Sequence, residues 1–265
     1  MDDFKQNIAV GVITELVKDS IKALWNRVRE YYSDLDEKDG IDFGNAYESY
    51  LHNAANKVRK VKTIIYRREP KDLYSIYECL NVEFSGNIVS TKSVKNLLDY
   101  GNKLIISGTA GIGKTTMLRH FFISALEKGD LIPIFVELRE VNSKEVKDID
   151  VFNLIYNTLV NYGFNVEKKY FEYSMKGGRY LILYDGFDEV RMENGLNVAK
   201  GIRELSTKYP DNYYILSSRP MEEFIGWNDF IEAEAMVLDK KQAFDLIKKL
   251  DYDKDTKDKF LNALE

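Results

Sequence analysis

A three-layer α/β core on a parallel sheet, preceded by an all-α domain and followed by the start of a helical one, is the fold class that three observations predict. Four short β-prone runs, Lys103–Ser107, Ile132–Leu138, Tyr180–Tyr184 and Tyr213–Ser217, are separated by helix-length segments, the spacing of parallel strands joined by crossover helices. The first eighty residues instead carry apolar steps of three and four. Helical periodicity returns from Leu238. The expected domains are therefore 1–80, 81–235 and 236–265, the last being the opening of a C-terminal helical domain cut short.

In chain order, Ile8, Val12, Leu16, Ile21, Leu24, Trp25 and Val28 mark an amphipathic helix expected to dock into a helical core, with a partner-binding or membrane-touching effector helix as the alternative. The polar stretch Ser33–Gly40 breaks it. Phe43, Ala46, Tyr47 and Tyr50 begin a second helical pattern that runs to about Tyr66, where Arg67-Arg-Glu-Pro70 interrupts it, because the residue before a proline is pushed away from helix. Lys57, Arg59, Lys60, Lys62, Arg67, Arg68 and Lys71 form one basic cluster, read as a solvated helix face or as a contact for nucleic acid or a partner.

The apolar run Leu104-Ile-Ile-Ser107 leads into Gly108-Thr109-Ala110-Gly111-Ile112-Gly113-Lys114-Thr115-Thr116, after which Met117, Leu118, Phe121, Phe122 and Ala125 recur at helical spacing. Strand, glycine-rich loop and helix are the setting of a phosphate-binding loop. The glycines let the backbone turn its N–H groups toward phosphate oxygens, and the helix N-terminus adds its positive end. Lys114 reaches the β and γ oxygens, and the Thr115 hydroxyl suits Mg²⁺. Further on, Asp239 is placed to cap a helix with Ala243, Phe244, Ile247 and Leu250 on one face.

Two later runs carry the remaining chemistry. Leu181-Ile-Leu-Tyr-Asp185 ends in a carboxylate, a second Mg²⁺ candidate, and Asp188 and Glu189 follow at a distance from which either could polarise an attacking water. Glu189 is slightly favoured, and capping of the next helix is the alternative for each acid. Tyr213–Ser218 runs into Arg219, whose planar guanidinium suits recognition of a γ-phosphate, with a surface salt bridge as the alternative.

Composition narrows the classes. The chain has 265 residues, a formal charge of −5 and 45% hydrophobic residues. That balance argues against a surface built throughout for nucleic acid or anionic membrane. A single cysteine, Cys79, excludes an intramolecular disulfide framework and points to a reducing, cytoplasmic compartment. No apolar stretch is long enough to span a bilayer. His52 and His120 lack metal-ligand companions.

Taken in order, Gly108–Thr116, Ile132-Pro-Ile-Phe-Val-Glu-Leu-Arg139, Leu183-Tyr-Asp-Gly-Phe-Asp-Glu-Val190 and Leu216-Ser-Ser-Arg-Pro220 resemble the NACHT NTPases, a branch of the STAND signal-transduction ATPases, over roughly Lys95 to Leu250. The resemblance implies Lys114 and Thr115 as phosphate and Mg²⁺ ligands, Asp185 as the metal acid, Asp188 and Glu189 as hydrolytic acids and Arg219 as the sensor. It also implies ATP and ADP as ligands and homo-oligomers in the ATP-bound state. The N-terminal helices and the phrase Tyr66–Tyr74 look like the segment before the NACHT module in bacterial proteins of antiphage defence, which would make the unknown trigger a phage protein. The family usually continues into a winged-helix domain whose histidine holds ADP, and this chain has only the first helices beyond the core. Two functions are expected to compete: a nucleotide-gated switch with slow hydrolysis, and a continuously cycling, nucleic-acid-dependent ATPase using the 57–71 patch.

Overall fold

The computed structural model of the chain describes residues 22, 25, 26, 29, 37–63, 66, 68–251 and 253–264. Most of the amphipathic pattern over 8–28 lies outside the described residues, as does Arg67. Trp25 is described, and its ring is buried against Phe43, with centroids 5.1 Å apart.

Helix α1 (Glu37–Val58) buries Phe43, Ala46, Tyr47, Tyr50, Leu51, Ala54 and Val58, one face at three- and four-residue spacing. It ends at Val58 rather than near Tyr66. Beyond it β1 (Lys60–Val61) pairs antiparallel with β2 (Lys71–Asp72), and the short α2 (Leu73–Ile76) follows, capped by Asp72. The guanidinium of Arg119 donates to the carbonyls of Val58 and Lys60, at 3.3 and 3.1 Å, where the helix stops.

The main sheet has seven strands in the order β4-β3-β9-β5-β8-β7-β6. These are β3 (Asn81–Phe84), β4 (Asn87–Ser90), β5 (Lys103–Ser107), β6 (Ile132–Glu137), β7 (Tyr180–Asp185), β8 (Tyr213–Ser218) and β9 (Ile231–Ala235). From β9 to β6 all neighbours are parallel, whereas β3 is antiparallel to both β4 and β9. Strands β5 to β8 are buried almost throughout, as strands covered on both faces must be. By contrast β9 alternates, with Glu232 and Glu234 exposed and Ala233 and Ala235 buried. The β3–β4 turn is made by Ser85 and Gly86, both left-handed at φ 47° and 87°, which matches the twist of a tight hairpin.

Helix α4 (Lys114–Lys128) follows β5 and packs across β6, β7 and β8, with α1 against it. Between β6 and β7 run α5 (Val151–Asn161) and α6 (Lys168–Met175), and α7 (Met192–Lys208) connects β7 to β8 beside α5. The short α3 (Lys95–Leu98) precedes β5. Helix α1 is locked to the core by buried hydroxyls. Tyr50 donates to the Pro133 carbonyl at 3.0 Å, and Tyr47, Tyr180 and Ser174 form one hydrogen-bonded group. Pro133 is tolerated because β6 is the edge of the sheet.

After β9, Asp239 and Gln242 form a reciprocal capping box at the start of α8 (Lys240–Lys249), and α9 (Lys254–Leu264) follows. Helix α8 docks on the segment before β3, where Gln242 donates to the Cys79 carbonyl at 2.8 Å and Lys249 to the Tyr77 carbonyl at 2.9 Å. Among the described residues no helix is long and apolar enough to cross a membrane.

Candidate functional site

The parallel register delivers the chemistry to one edge of the sheet. Glu137 lies opposite Asp185, Tyr184 opposite Leu216, and Ser107 opposite Ser218, so the carboxyl ends of β5, β6, β7 and β8 finish level. Ligands of open α/β sheets gather outside such ends. Strand β8 sits between the loop-bearing β5 and the Asp185-bearing β7, which puts Ser217 and Arg219 between them.

The loop from Gly108 to Gly113 turns on Gly111 (φ 80°) and Gly113 (φ 106°), left-handed positions that disfavour any side chain, and Gly113 stands at the N-terminus of α4. The Lys114 ammonium donates to the loop's own carbonyls at Gly108 (2.7 Å) and Thr109 (3.0 Å). Burial lowers the Lys114 pKa, Asp188 opposes that shift, and Arg219 adds to it.

The Asp185 carboxylate accepts from the Thr115 hydroxyl at 3.0 Å and the Ser217 hydroxyl at 2.8 Å. Ser217 in turn accepts from the Gly186 amide at 2.9 Å, which fixes its rotamer. Burial raises the Asp185 pKa, and the two hydroxyls pull it partly back. Gly186 is left-handed at φ 74°, and an added Cβ there would stand 3.1 Å from the Glu189 side chain. The glycine thus lets the chain fold back so that Phe187–Glu189 form a single tight turn.

Asp188 is engaged by Arg219 twice, through the Arg219 backbone amide at 3.2 Å and through its Nε at 2.9 Å. Asp188 is thus held in a salt bridge with Arg219, whereas Glu189 is exposed and no described side chain pairs with its carboxylate. The Glu189 backbone is held by Asn142, which donates to its carbonyl at 2.9 Å and accepts from the Arg191 amide at 2.9 Å.

All of this surrounds one cleft of about 770 Å³, lined by Ala110, Gly111, Gly113, Lys114, Thr115, Thr116, Gly186, Asp188, Glu189, Ser217 and Arg219. Gly108, Thr109 and Ile112 complete the loop that bounds it. Three contributions escaped the sequence reading. Ser217 was visible only as the hydroxyl ending a strand, and its bond to Asp185 needed the strand order. Arg139 pairs with Glu137 at the cleft rim. Lys57, Lys60 and Lys62 reach the same cleft from the far side of the sequence. His120 is used structurally: its Nε2 faces the Thr91 carbonyl at 2.9 Å and its Nδ1 the Tyr74 hydroxyl at 3.1 Å.

The donor set suits a small hard cation carried in with phosphates. Thr115 and Asp185 offer oxygen, and among the described residues no group of three or more His, Cys, Asp and Glu is clustered as a self-sufficient metal cage.

Comparison with known proteins gives two findings. A sequence model of the NACHT domain matches residues 102–238. Among solved structures, AMPPCP-bound DnaA from Aquifex aeolicus is similar with 20% identity and a TM-score of 0.37, over 63% of this chain and 54% of that one. The chain thus spans about half the length of that protein. No curated protein matches it.

Proposed function

This chain belongs to the NACHT domain family of nucleotide-binding NTPases, and from that premise we propose that it is a nucleotide-gated switch that binds Mg-ATP, hydrolyses it slowly to ADP and assembles into homo-oligomers in the ATP-bound form. One observation carries the reading: Thr115 and Ser217, from α4 and β8, converge on Asp185 beside the Lys114 loop. Thr115 and Asp185 are the residues that would hold Mg²⁺, which when bound offsets phosphate charge and orients the terminal phosphate.

The chain's own groups take the other roles. Loop amides and Lys114 bind the phosphates, so Lys114 must exchange its two carbonyl contacts for phosphate oxygens. Glu189, exposed in the cleft without a described partner, is positioned to orient the attacking water and accept its proton. Arg219 is one group able to sense the γ-phosphate. In its pair with Asp188 the Arg219 side chain is 62% exposed and that of Asp188 17%, so the arginine side of the pair is open to the cleft, where a γ-phosphate can compete for the guanidinium. Full switching requires roughly 10⁴-fold, about 5.5 kcal/mol, of differential affinity between the two shapes, more than one arginine supplies, so domain contacts must contribute.

Two ion pairs count against the nucleic-acid reading. Arg59 is paired with Asp72 and Lys71 with Asp251, while Lys57, Lys60 and Lys62 turn to the phosphate cleft. A cytoplasmic setting rests on the lone Cys79, and an antiphage role rests on the resemblance of the 66–74 phrase. The test is solution mass by light scattering with Mg²⁺ and a non-hydrolysable ATP analogue against ADP, for wild type and Lys114→Ala. The switch reading expects larger species for wild type with the analogue alone. Equal masses in both nucleotides with demonstrated binding would contradict it.

A further inference from the structure

Five residues of the basic cluster before the first strand of the core divide into two sets. Arg59 and Lys71 are neutralised by Asp72 (2.8 Å) and Asp251 (3.6 Å). Lys57, Lys60 and Lys62 are exposed, no described carboxylate pairs with any of them, and all three line the cleft that holds the phosphate loop. The placement follows from local structure. Lys57 lies in the last turn of α1, and in β1 the buried Val61 points to the core, so that Lys60 and Lys62 share the opposite face.

The strap carrying these lysines is anchored to the nucleotide-binding element itself. Arg119, on α4 one turn beyond the loop, donates to the carbonyls of Val58 and Lys60 and stacks over the Phe135 ring of β6, with its guanidinium carbon 5.6 Å from the centroid. Leu73 also donates to the Arg59 carbonyl at 2.8 Å, closing β2 onto the strap. Its approach is from the β6 side, where α1 bonds to Pro133. On that side the cleft is bounded by Glu137 at the end of β6 and by Asp188 and Glu189 after β7. Glu137 is occupied by Arg139 and Asp188 by Arg219, which leaves Glu189 as the acid of that rim without a described counter-charge.

We propose that residues 57–63 form a second phosphate-binding arm, in which Lys60 and Lys62, helped by Lys57, contact the terminal phosphate of a nucleoside triphosphate and so set the preference for triphosphate over diphosphate. The proposal rests on the nucleotide-switch reading and adds the N-terminal segment to its site. Three clustered cations without counter-charges among the described residues, facing a walled cleft, are a focused positive field, and a third phosphate adds the negative charge that this field selects. The strap continues directly from α1 and is tied to α4 by the Arg119 contacts to Val58 and Lys60.

The experiment measures equilibrium dissociation constants for the β,γ-imido analogue of ATP and for ADP, each with Mg²⁺, on the full chain. Lys60→Ala/Lys62→Ala is expected to weaken the analogue about tenfold, as for loss of one charge-assisted contact, and ADP less than twofold, with the melting temperature unchanged because both side chains are exposed. Lys60→Arg/Lys62→Arg should keep the wild-type ratio. An unchanged ratio of the two constants in the alanine variant, through equal loss or no loss, overturns the proposal, and so does a gain in analogue affinity, which would make the strap a plug. Lys114→Ala, run in parallel, separates the readings: if it loses both nucleotides while the alanine pair keeps the ratio, only the arm falls, and if wild type binds neither nucleotide, the switch reading falls with it.

Discussion

Thr115, on the first turn of α4, donates its hydroxyl to Asp185, at the end of β7, over 3.0 Å. Seventy residues of sequence separate them, and the sheet closes the distance by placing β7 and β5 on either side of β8 with their carboxyl ends level. The pair is a ready oxygen-donor set beside a buried charge, and the consequences can be measured.

Asp185→Asn should abolish Mg²⁺-dependent nucleotide binding and yet stabilise the nucleotide-free protein. Burial raises the Asp185 pKa, so the folded chain holds this proton more tightly than the unfolded chain, whose carboxyl titrates near about 4. Stability therefore falls as pH rises from that value through the raised pKa, and the ionised group is a net cost at neutral pH. The amide removes the cost, and a thermal melt without nucleotide should show a higher melting temperature than wild type. An unchanged or lower melting temperature would contradict the burial argument.

The same shift fixes the acid limb of nucleotide affinity. Metal binding needs the carboxylate, so Mg²⁺-dependent affinity should begin to fall on acidification at a pH above the ordinary aspartate range, while binding without Mg²⁺ should lack that limb. Titrations with and without Mg²⁺ between neutral pH and about 4.5 will show it.

Glu189→Gln should keep analogue affinity within about twofold and slow turnover by about 10²-fold, the usual contribution of a positioned base. Asp188→Asn should act differently, because it frees Arg219 from its 2.9 Å pair. Analogue affinity should then rise, because the guanidinium no longer has to leave a carboxylate to reach the terminal phosphate. Single-turnover rates and binding constants on both variants distinguish the two acids, and identical phenotypes would sink the division of roles.

How much of this was legible depends on where the information resides. The loop, its lysine and the acid ending β7 are local patterns, and each lies where its neighbours in sequence put it. Strand β9 was missed because Ile231-Glu-Ala-Glu-Ala235 is built of good helix formers, and only its pairing with β5 and β3 overrides that preference. The four-residue β3 and β4 were too short to show a period. Helix α1 was read some eight residues too long, since the Arg119 contacts that receive its end come from a helix sixty residues away. The basic cluster was plain in the sequence, but which lysines were paired and which faced the cleft required the fold.

Asn212 offers a test of the scaffold apart from the site. It is buried, accepts from the Tyr180 amide at 3.1 Å, and donates to the Met175 carbonyl at 2.7 Å, tying the start of β7 to α6 and β8. Asn212→Ala leaves these backbone groups unpaired and should cost roughly 2–4 kcal/mol in denaturant unfolding. A loss under about 0.5 kcal/mol would show that solvent reaches the position.

The central claim is that the Lys114 loop and the Thr115–Asp185 pair form one Mg-nucleotide site. Calorimetric titration of the full chain with the β,γ-imido analogue of ATP, with and without Mg²⁺, for wild type, Lys114→Ala and Asp185→Asn, tests it most directly. The account predicts one site per chain, an affinity strengthened by Mg²⁺, and a loss of about 100-fold or more in each variant with Mg²⁺ present, equal to about 2.7 kcal/mol. Binding that is the same in all three proteins, or indifferent to Mg²⁺, would contradict it.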